Sequence, residues 1–307
     1  MKTLKYLFIA ILFSFFSCQN TEKKQSETIA EANIKNETIK PAQALSKAFN
    51  KYWYAGEAEI SSYKLEQARY GEIRDGQAVL VFVTEYFLPE VQVKADNYSK
   101  ENVPVLKLNA TKNFNTGIYP YSIMQSTFYP VANNQHAIKI SASIQEWCGH
   151  VYAQLNNRND FEIMSHSYFQ SEADQNLNLE KAITENQLWT QLRVNPKSLP
   201  VGELQIIPSF EFLRLKHMPF KAYKASAKIN DTEYSIYYPE LDRSLKIEFN
   251  ASFPYDILGW EETYKDGYGS NAKPLTTRAT KLETIKSAYW SKNSNDDENL
   301  RADLELK

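Results

Sequence analysis

The chain of 307 residues has few residues of the kinds that build disulfide frameworks, glycine-rich nucleotide loops or basic nucleic-acid surfaces. Only 2 cysteines and 9 glycines are present, so the sequence predicts neither a disulfide scaffold nor a phosphate-binding loop. Because 35 Lys and Arg stand against 37 Asp and Glu, we predict no nucleic-acid partner. A hydrophobic content of 43% is enough for a packed core, which excludes a wholly disordered chain.

The signatures of common enzyme and metal sites are also missing. The sequence has no Walker loop, no Gly-x-Ser-x-Gly elbow, no His-Glu-x-x-His and no Cys-x-x-Cys. No pair of histidines has an ordinary ligand spacing; the four are His136, His150, His166 and His217. The sequence therefore predicts no metal site and no cofactor.

The N-terminus carries a long apolar run. Lys2 and Lys5 flank the start of this run, which extends from Tyr6 to Phe16 and is shorter than the roughly 20 residues of a membrane-spanning helix. It ends at Ser17 and Cys18, and a small residue before a cysteine at this point resembles the signal of bacterial lipoproteins. An ordinary secreted protein cut nearby is the alternative.

The lipoprotein resemblance implies a location. It implies that residues 1–17 are a signal peptide and that Cys18 carries palmitate or similar acyl chains. Such chains would hold the protein on a bacterial membrane, facing the periplasm or the cell surface. Residues 18–40 are polar and predict a flexible lipidated tether, residues 41–290 a β-rich domain, and residues 291–307 a polar, frayed tail.

Alternation of apolar and polar residues predicts strands. The pattern is clear over residues 138–144, 223–229 and 245–251, and the apolar run of residues 78–87 indicates a central strand. Helical spacing is scarcer and predicts two helices, within Pro41–Tyr54 and Leu179–Arg193. The predicted fold is mostly β, an antiparallel meander forming an open or closed barrel or a sandwich, with about two short helices.

The stretch from Glu146 to His150 holds the candidates for chemistry. If the strand from Ile138 continues without a bulge, Glu146, Cys148 and His150 share its apolar face. A thiolate beside an imidazolium would then be a nucleophile, with Glu146 orienting it. We favour the alternative, in which Cys148 is buried and Gly149 admits the ring of Trp147 or another aromatic residue.

Aromatic residues are the candidates for binding, since the chain has 20 tyrosines. Trp147, Tyr119 and Tyr121 could bind a ligand by stacking and hydroxyl hydrogen bonds, although aromatic residues in strands more often pack in a core.

A possible pair of carboxylates lies near the start of the β-rich domain. Glu57 and Glu59 alternate with Ala58 and Ile60, so we expect both carboxylates to face solvent.

Three segments, Tyr52–Ile60, Gly71–Gly76 and Gln145–His150, are similar to a group of uncharacterised bacterial envelope lipoproteins often labelled septum formation inhibitor Maf. The Ser-x-Ser-Pro-Arg-Arg loop of true Maf nucleotide pyrophosphatases is absent from this chain. The resemblance therefore implies an envelope location and a β-rich fold, and it carries no catalytic residue across.

Three functions remain open from the sequence. The leading prediction is a lipid-anchored, non-enzymatic envelope protein that binds an apolar or amphipathic ligand or an envelope protein. The first alternative is a periplasmic hydrolase or transferase that depends on Cys148 and His150. The second is a structural module that docks through an aromatic surface.

Overall fold

The computed structural model describes residues 41–306, which form one β-rich body. The predicted signal peptide, Cys18 and the predicted tether lie outside the described residues. Among residues 41–306, no helix is long and apolar enough to cross a membrane.

The described residues contain sixteen strands and four α-helices, besides short 3-10 turns. The strands are β1 (Ala58–Arg69), β2 (Glu72–Leu88), β3 (Val93–Lys94), β4 (Val103–Thr116), β5 (Tyr119–Pro130), β6 (Lys139–Glu146), β7 (Gly149–Asn157), β8 (Phe161–His166), β9 (Gln175–Leu179), β10 (Ile183–Thr184), β11 (Gly202–Ile207), β12 (Tyr223–Ile229), β13 (Glu233–Tyr238), β14 (Arg243–Phe249), β15 (Ile257–Asp266) and β16 (Lys273–Ser287). The helices are α1 (Lys47–Trp53), α2 (Glu185–Val194), α3 (Phe210–Leu215) and α4 (Asn299–Asp303).

All strands belong to one sheet, and its order confirms the predicted antiparallel meander. The sheet runs from β10 through β16 to β1 and β2, and then from β4 to β9, with β3 beside β2. Neighbours are antiparallel except for β10 and β11, which pair in parallel among the described strands. The apolar run of residues 78–87 lies in β2, between β1 and β4, as predicted for a central strand.

The sheet curves into a barrel-like wall. Its two edge strands, β9 and β10, are separated in the chain only by residues 180–182, so these edges lie within about 14 Å of each other. Helix α2 bonds to side chains from β1, β5 and β14, which are far apart in the sheet order. The wall therefore surrounds α2, and we call the enclosed space the lumen.

Helices differ from the prediction in number and bounds. Ser46 caps α1, which lies inside the predicted Pro41–Tyr54 segment. Thr184 caps α2, which begins six residues after the predicted Leu179 because the preceding segment forms β9 and β10. Helices α3 and α4 were not predicted, because six and five residues are too few to show a helical period.

The C-terminal segment is folded against the outside of the wall, so the prediction of a frayed tail was wrong. Leu304, after α4, is buried against Ala58, Ile60 and Val83. This contact covers the apolar outer face of β1. Glu59, between the two covered residues, consequently points into the lumen and is 1% exposed, and the expectation that it faces solvent was also wrong.

The meander places its connections at two ends. The turns at residues 70–71, 117–118, 147–148, 167–174, 239–242 and 267–272 lie at one end, which we call the hairpin end. Helix α1 and the turns at residues 131–138 and 250–256 lie at the other, the N-terminal end. The backbone N–H of Gln43 donates to the carbonyl of Ala132 there. Helix α3 closes the hairpin end, where Arg69 bonds the carbonyl of Leu215 at 2.9 Å.

Candidate functional site

The lumen is filled by α2 and by ion pairs between this helix and the wall. Arg243 on β14 donates two hydrogen bonds to Glu185 at the start of α2, at 2.5 and 2.7 Å, and a third to Glu262 at 2.7 Å. Arg243 and Glu185 are at most 2% exposed. Burial alone would raise the pKa of Glu185, but the charge and hydrogen bonds of Arg243 lower it overall.

A second ion pair holds the other end of α2. Arg193 donates to both oxygens of Glu59, at 2.6 and 2.7 Å, and Tyr52 of α1 donates to the same carboxylate at 2.5 Å. Burial would raise the pKa of Glu59, but Arg193 and then Tyr52 lower it overall. Together the two pairs fix both ends of α2 to the wall.

Between α2, α3 and the wall lies a cavity of about 50 Å³. Its polar lining includes Lys112, Glu185, Glu211, Arg243 and Glu262. Burial raises the pKa of Glu211, although Lys112, which donates to it at 2.7 Å, acts in the opposite direction. A space of this size and polarity suits a few water molecules, whereas ligand pockets measure about 300–1,000 Å³.

The hairpin end carries a continuous set of aromatic rings that includes all three predicted binding residues. Tyr268 stacks on Tyr70 at 6.1 Å, and the Tyr70 hydroxyl lies 2.8 Å from that of Tyr121. Tyr121 contacts Tyr119 at 6.0 Å between ring centroids, and Tyr119 contacts Trp147 at 6.4 Å. We call these five residues the aromatic rim.

Parts of this end are strongly exposed. Tyr268 is 73% exposed and Trp147 67%, and Ile118, in the turn before Tyr119, is 82% exposed. Below them, Arg69 is buried and donates to the hydroxyls of both Tyr70 and Tyr121 at 3.0 Å. Tyr70 and Tyr121 are thus fixed from beneath, while Trp147 and Tyr268 are open to solvent. The two fixed rings can contact a partner with little loss of side-chain entropy.

The predicted continuous strand through Glu146, Cys148 and His150 is wrong. Strand β6 ends at Glu146, a turn occupies Trp147 and Cys148, and β7 returns from Gly149. His150 therefore lies on the neighbouring strand, where its Nε2 is 2.9 Å from the hydroxyl of Ser143. Gly149, which would lie inside that continuous strand, begins the second strand of a hairpin.

Cys148 is exposed, so the favoured expectation that it is buried was wrong. Glu146 accepts a hydrogen bond from the Cys148 backbone N–H at 2.6 Å. The pKa of the Cys148 thiol is raised, chiefly by its hydrogen bond to the Glu146 carboxylate. A raised pKa disfavours the thiolate that the nucleophilic hypothesis needs.

The expected close packing at Gly149 is present, with a ring from elsewhere in the chain. A Cβ at Gly149 would lie 2.5 Å from the ring of Tyr168. The Tyr168 hydroxyl donates to Glu146 at 2.5 Å. Gly149 therefore admits Tyr168, and not Trp147, against the hairpin.

Sequence reasoning missed the lumen charges and Arg214 of α3. Glu59 and Arg193 are far apart in the chain, and only the closed wall brings them together. Arg214 is 9% exposed and lies over the ring of Phe169 at 4.3 Å, near the hairpin of β6 and β7. No spacing in the sequence marks these residues, because each contact joins elements distant in the chain.

Comparisons with known proteins add little about function. No protein-family model matches the chain, and no curated protein matches its sequence. A β-barrel-like protein of the domain of unknown function DUF1849 from Brucella abortus is 8% identical, with a TM-score of 0.43; the match covers 75% of this chain and 97% of that chain. A porin-like protein from Bacteroides uniformis is 7% identical, with a TM-score of 0.20, over 73% of this chain and 95% of that chain. We draw no functional conclusion from these two likenesses.

Proposed function

We propose that this protein is a non-enzymatic, lipid-anchored binding protein of the bacterial cell envelope that docks a protein partner on its aromatic rim. The observation that carries the proposal is the rim itself, in which Trp147 and Tyr268 stand out from a fixed set of rings. Tyrosine, tryptophan and arginine are the residues that most often dominate binding energy at protein interfaces.

The lipid anchor of the proposal rests on the sequence, in which Ser17 and Cys18 end the apolar run as in bacterial lipoprotein signals. Within the described residues, the rim lies at the hairpin end, and Gln43, which donates to the carbonyl of Ala132, lies at the N-terminal end.

A protein partner is favoured over two other occupants. A lipid-sized ligand in the lumen would require α2 or α3 to move, because the space between them is about 50 Å³. Glu72, which follows the first rim turn, pairs with Arg74 at 2.6 Å, so this pair offers no net positive charge to a bilayer with anionic lipids. Tyrosine hydroxyls beside apolar rings suit a mixed polar and apolar protein surface.

The test places a photo-crosslinking amino acid at Ile118, beside the rim, in the full chain in its native envelope. Ile229 at the N-terminal end is the matched control, since it is also an exposed isoleucine. We expect one discrete protein adduct from position 118 and none from position 229. The purified adduct partner should bind the wild-type chain, and the double variant W147S/Y268S should weaken that binding at least about tenfold.

Three results would overturn the proposal. Equal adducts from both positions would show that the rim has no preference. Binding of the purified partner that is unchanged in W147S/Y268S would remove the rim from the interface. A blue shift of tryptophan fluorescence by phosphatidylethanolamine and phosphatidylglycerol vesicles that W147S/Y268S lacks, without a protein adduct, would identify a lipid surface as the occupant instead.

A further inference from the structure

Arg214 differs from the other deeply buried arginines of the barrel. Arg193 and Arg243 each face a carboxylate, and Arg69 donates to a carbonyl and to two hydroxyls. Arg214 is 9% exposed, and its Nε and Nη1 atoms are buried without a hydrogen-bond partner. Burying a charge whose donors make no hydrogen bonds costs folding free energy, and an anion bound to this guanidinium would offset that cost.

The contacts of Arg214 leave its Nε and Nη1 groups without a hydrogen-bond acceptor. Its guanidinium lies over the ring of Phe169 at 4.3 Å and near that of Tyr168 at 5.9 Å. These cation–π contacts use the face of the guanidinium, whereas its N–H groups point outward in its plane. The rings therefore position Arg214 and do not replace a hydrogen-bonded anion.

Two carboxylates lie near Arg214, and both are engaged elsewhere. One oxygen of Glu172 bonds to His217, and the other accepts from Ser167 at 2.6 Å. The oxygens of Glu146 accept from Tyr168 and from the backbone N–H of Cys148. No ion pair joins Arg214 to an acidic residue within the described part of the chain.

Arg214 also lines a cavity of about 40 Å³ under the turn of residues 167–174. Ser165 and Gln175, directly paired on β8 and β9, contribute polar groups to the same cavity. The rest of the lining is largely apolar; it comprises Val151, Ala153, Leu213, Met218, Pro219 and Phe220, with Glu172 at one side. A space of this size can hold one small polar group and little more.

We infer that Arg214 and this cavity form a binding site for a single carboxylate group. The planar guanidinium fork matches the two oxygens of a carboxylate. The Ser165 hydroxyl lines the same cavity, and Nε2 of Gln175, which donates to the carbonyl of Glu172 at 2.8 Å, keeps a second N–H. The nearby charges of Glu146 and Glu172 oppose a doubly charged phosphate, which favours a monoanion. The carboxylate can come from a small acid or from the end of a peptide, and the site does not depend on the proposed docking at the rim.

The test titrates the purified full chain with acetate and with its neutral isostere acetamide at constant ionic strength, by ligand-observed NMR. A parallel arm uses N-acetyl-leucine and N-acetyl-leucine amide as the peptide-end probes. We expect saturable binding of the acids only. R214Q should weaken that binding at least about tenfold, and R214K should be intermediate because it keeps the charge and loses the fork.

R278Q is the matched control, since Arg278 is exposed and paired with Glu261 on the outer face of the wall. It should bind the acids like the wild type. Tighter binding of N-acetyl-leucine than of acetate would assign the site to a peptide end, and the reverse order to a small free acid.

Melting temperatures test the alternative that Arg214 only packs on the rings. If Arg214 is an anion-binding residue, the melting temperature of R214M in the absence of added acid should be no lower than that of the wild type. Added acid should raise the melting temperature of the wild type and leave that of R214M unchanged. Equal binding of acids and amides, unchanged binding by R214Q, or no saturation by any probe would overturn the inference. A lower melting temperature for R214M with no acid response in the wild type would assign Arg214 a packing role.

Discussion

The lumen and the aromatic rim both combine aromatic and polar side chains, and they use them in opposite ways. In the lumen, Arg193 and Arg243 are 1% exposed, and each donates to carboxylates at 2.5–2.7 Å. In the rim, Trp147 and Tyr268 are 67% and 73% exposed and contact a neighbouring ring on one side only. The comparison indicates that the charged interior maintains the fold, whereas the exposed end is available for recognition.

The largest expected effect comes from breaking a lumen pair. R243M leaves Glu185 and Glu262 buried without their cation, and we expect the free energy of unfolding to fall by about 3–5 kcal/mol. Urea denaturation at neutral pH measures it. R278M is the control, because it removes an exposed arginine paired with Glu261 and should cost less than about 1 kcal/mol. Equal losses in the two variants would contradict the assignment of stability to the lumen.

Lowering the pH should have the second-largest effect, because it weakens the ion pairs of the lumen. The pKa values of Glu59 and Glu185 are lowered in the folded state, so both carboxylates bind fewer protons there than in the unfolded chain. Their stabilisation is complete above the unfolded pKa of about 4.3 and is lost as the pH falls through the folded values. Urea midpoints measured from pH 7 downward should therefore drop below about pH 5.

E59Q sharpens this test, because it removes one of the two titrating carboxylates of the lumen pairs. Its stability at neutral pH should be lower than that of the wild type, since Arg193 loses its charged partner. Its further loss on acidification should be smaller. A pH dependence as steep as that of the wild type would show that other groups cause the acid sensitivity.

Variants in the rim or directly beside it should have the smallest effect on stability. I118S and Y268S remove side chains that are 82% and 73% exposed, so we expect each to change the free energy of unfolding by less than about 0.5 kcal/mol. The same urea experiment measures this change. A loss of stability similar to that of a lumen variant would show that the rim also maintains the fold, and it would contradict the difference between rim and lumen.

The strands could be predicted from sequence, because alternation is a local property. Ile140, Ala142 and Ile144 are buried on one face of β6, and Tyr223, Ala225 and Ala227 on one face of β12, as predicted. Closure of the sheet was left open among barrel and sandwich, since residue spacing does not fix curvature. The closure follows from the positions of the two edge strands, β9 and β10, which only residues 180–182 separate in the chain.

The candidate site was predicted in part. Tyr119 and Tyr121 could be named from aromatic clustering and Trp147 from the stretch that ends at His150, and the structure brings the three together. The prediction for Glu59 failed because the rule that apolar residues face inward assumes a bare outer face. Here the C-terminal segment covers that face with Leu304, and the lumen accepts the charge because α2 supplies Arg193. Local sequence contains neither fact.

The pairing of β1 with β16 has a consequence for how the chain folds. Ala58 lies opposite Ser287, so the first long strand finds its second neighbour only after almost the whole chain is available. Such distant pairing slows folding, and the β1 edge stays open to other strands meanwhile. Until β16 pairs with it, the open β1 edge is therefore the part of the unfinished barrel that is most exposed to aggregation.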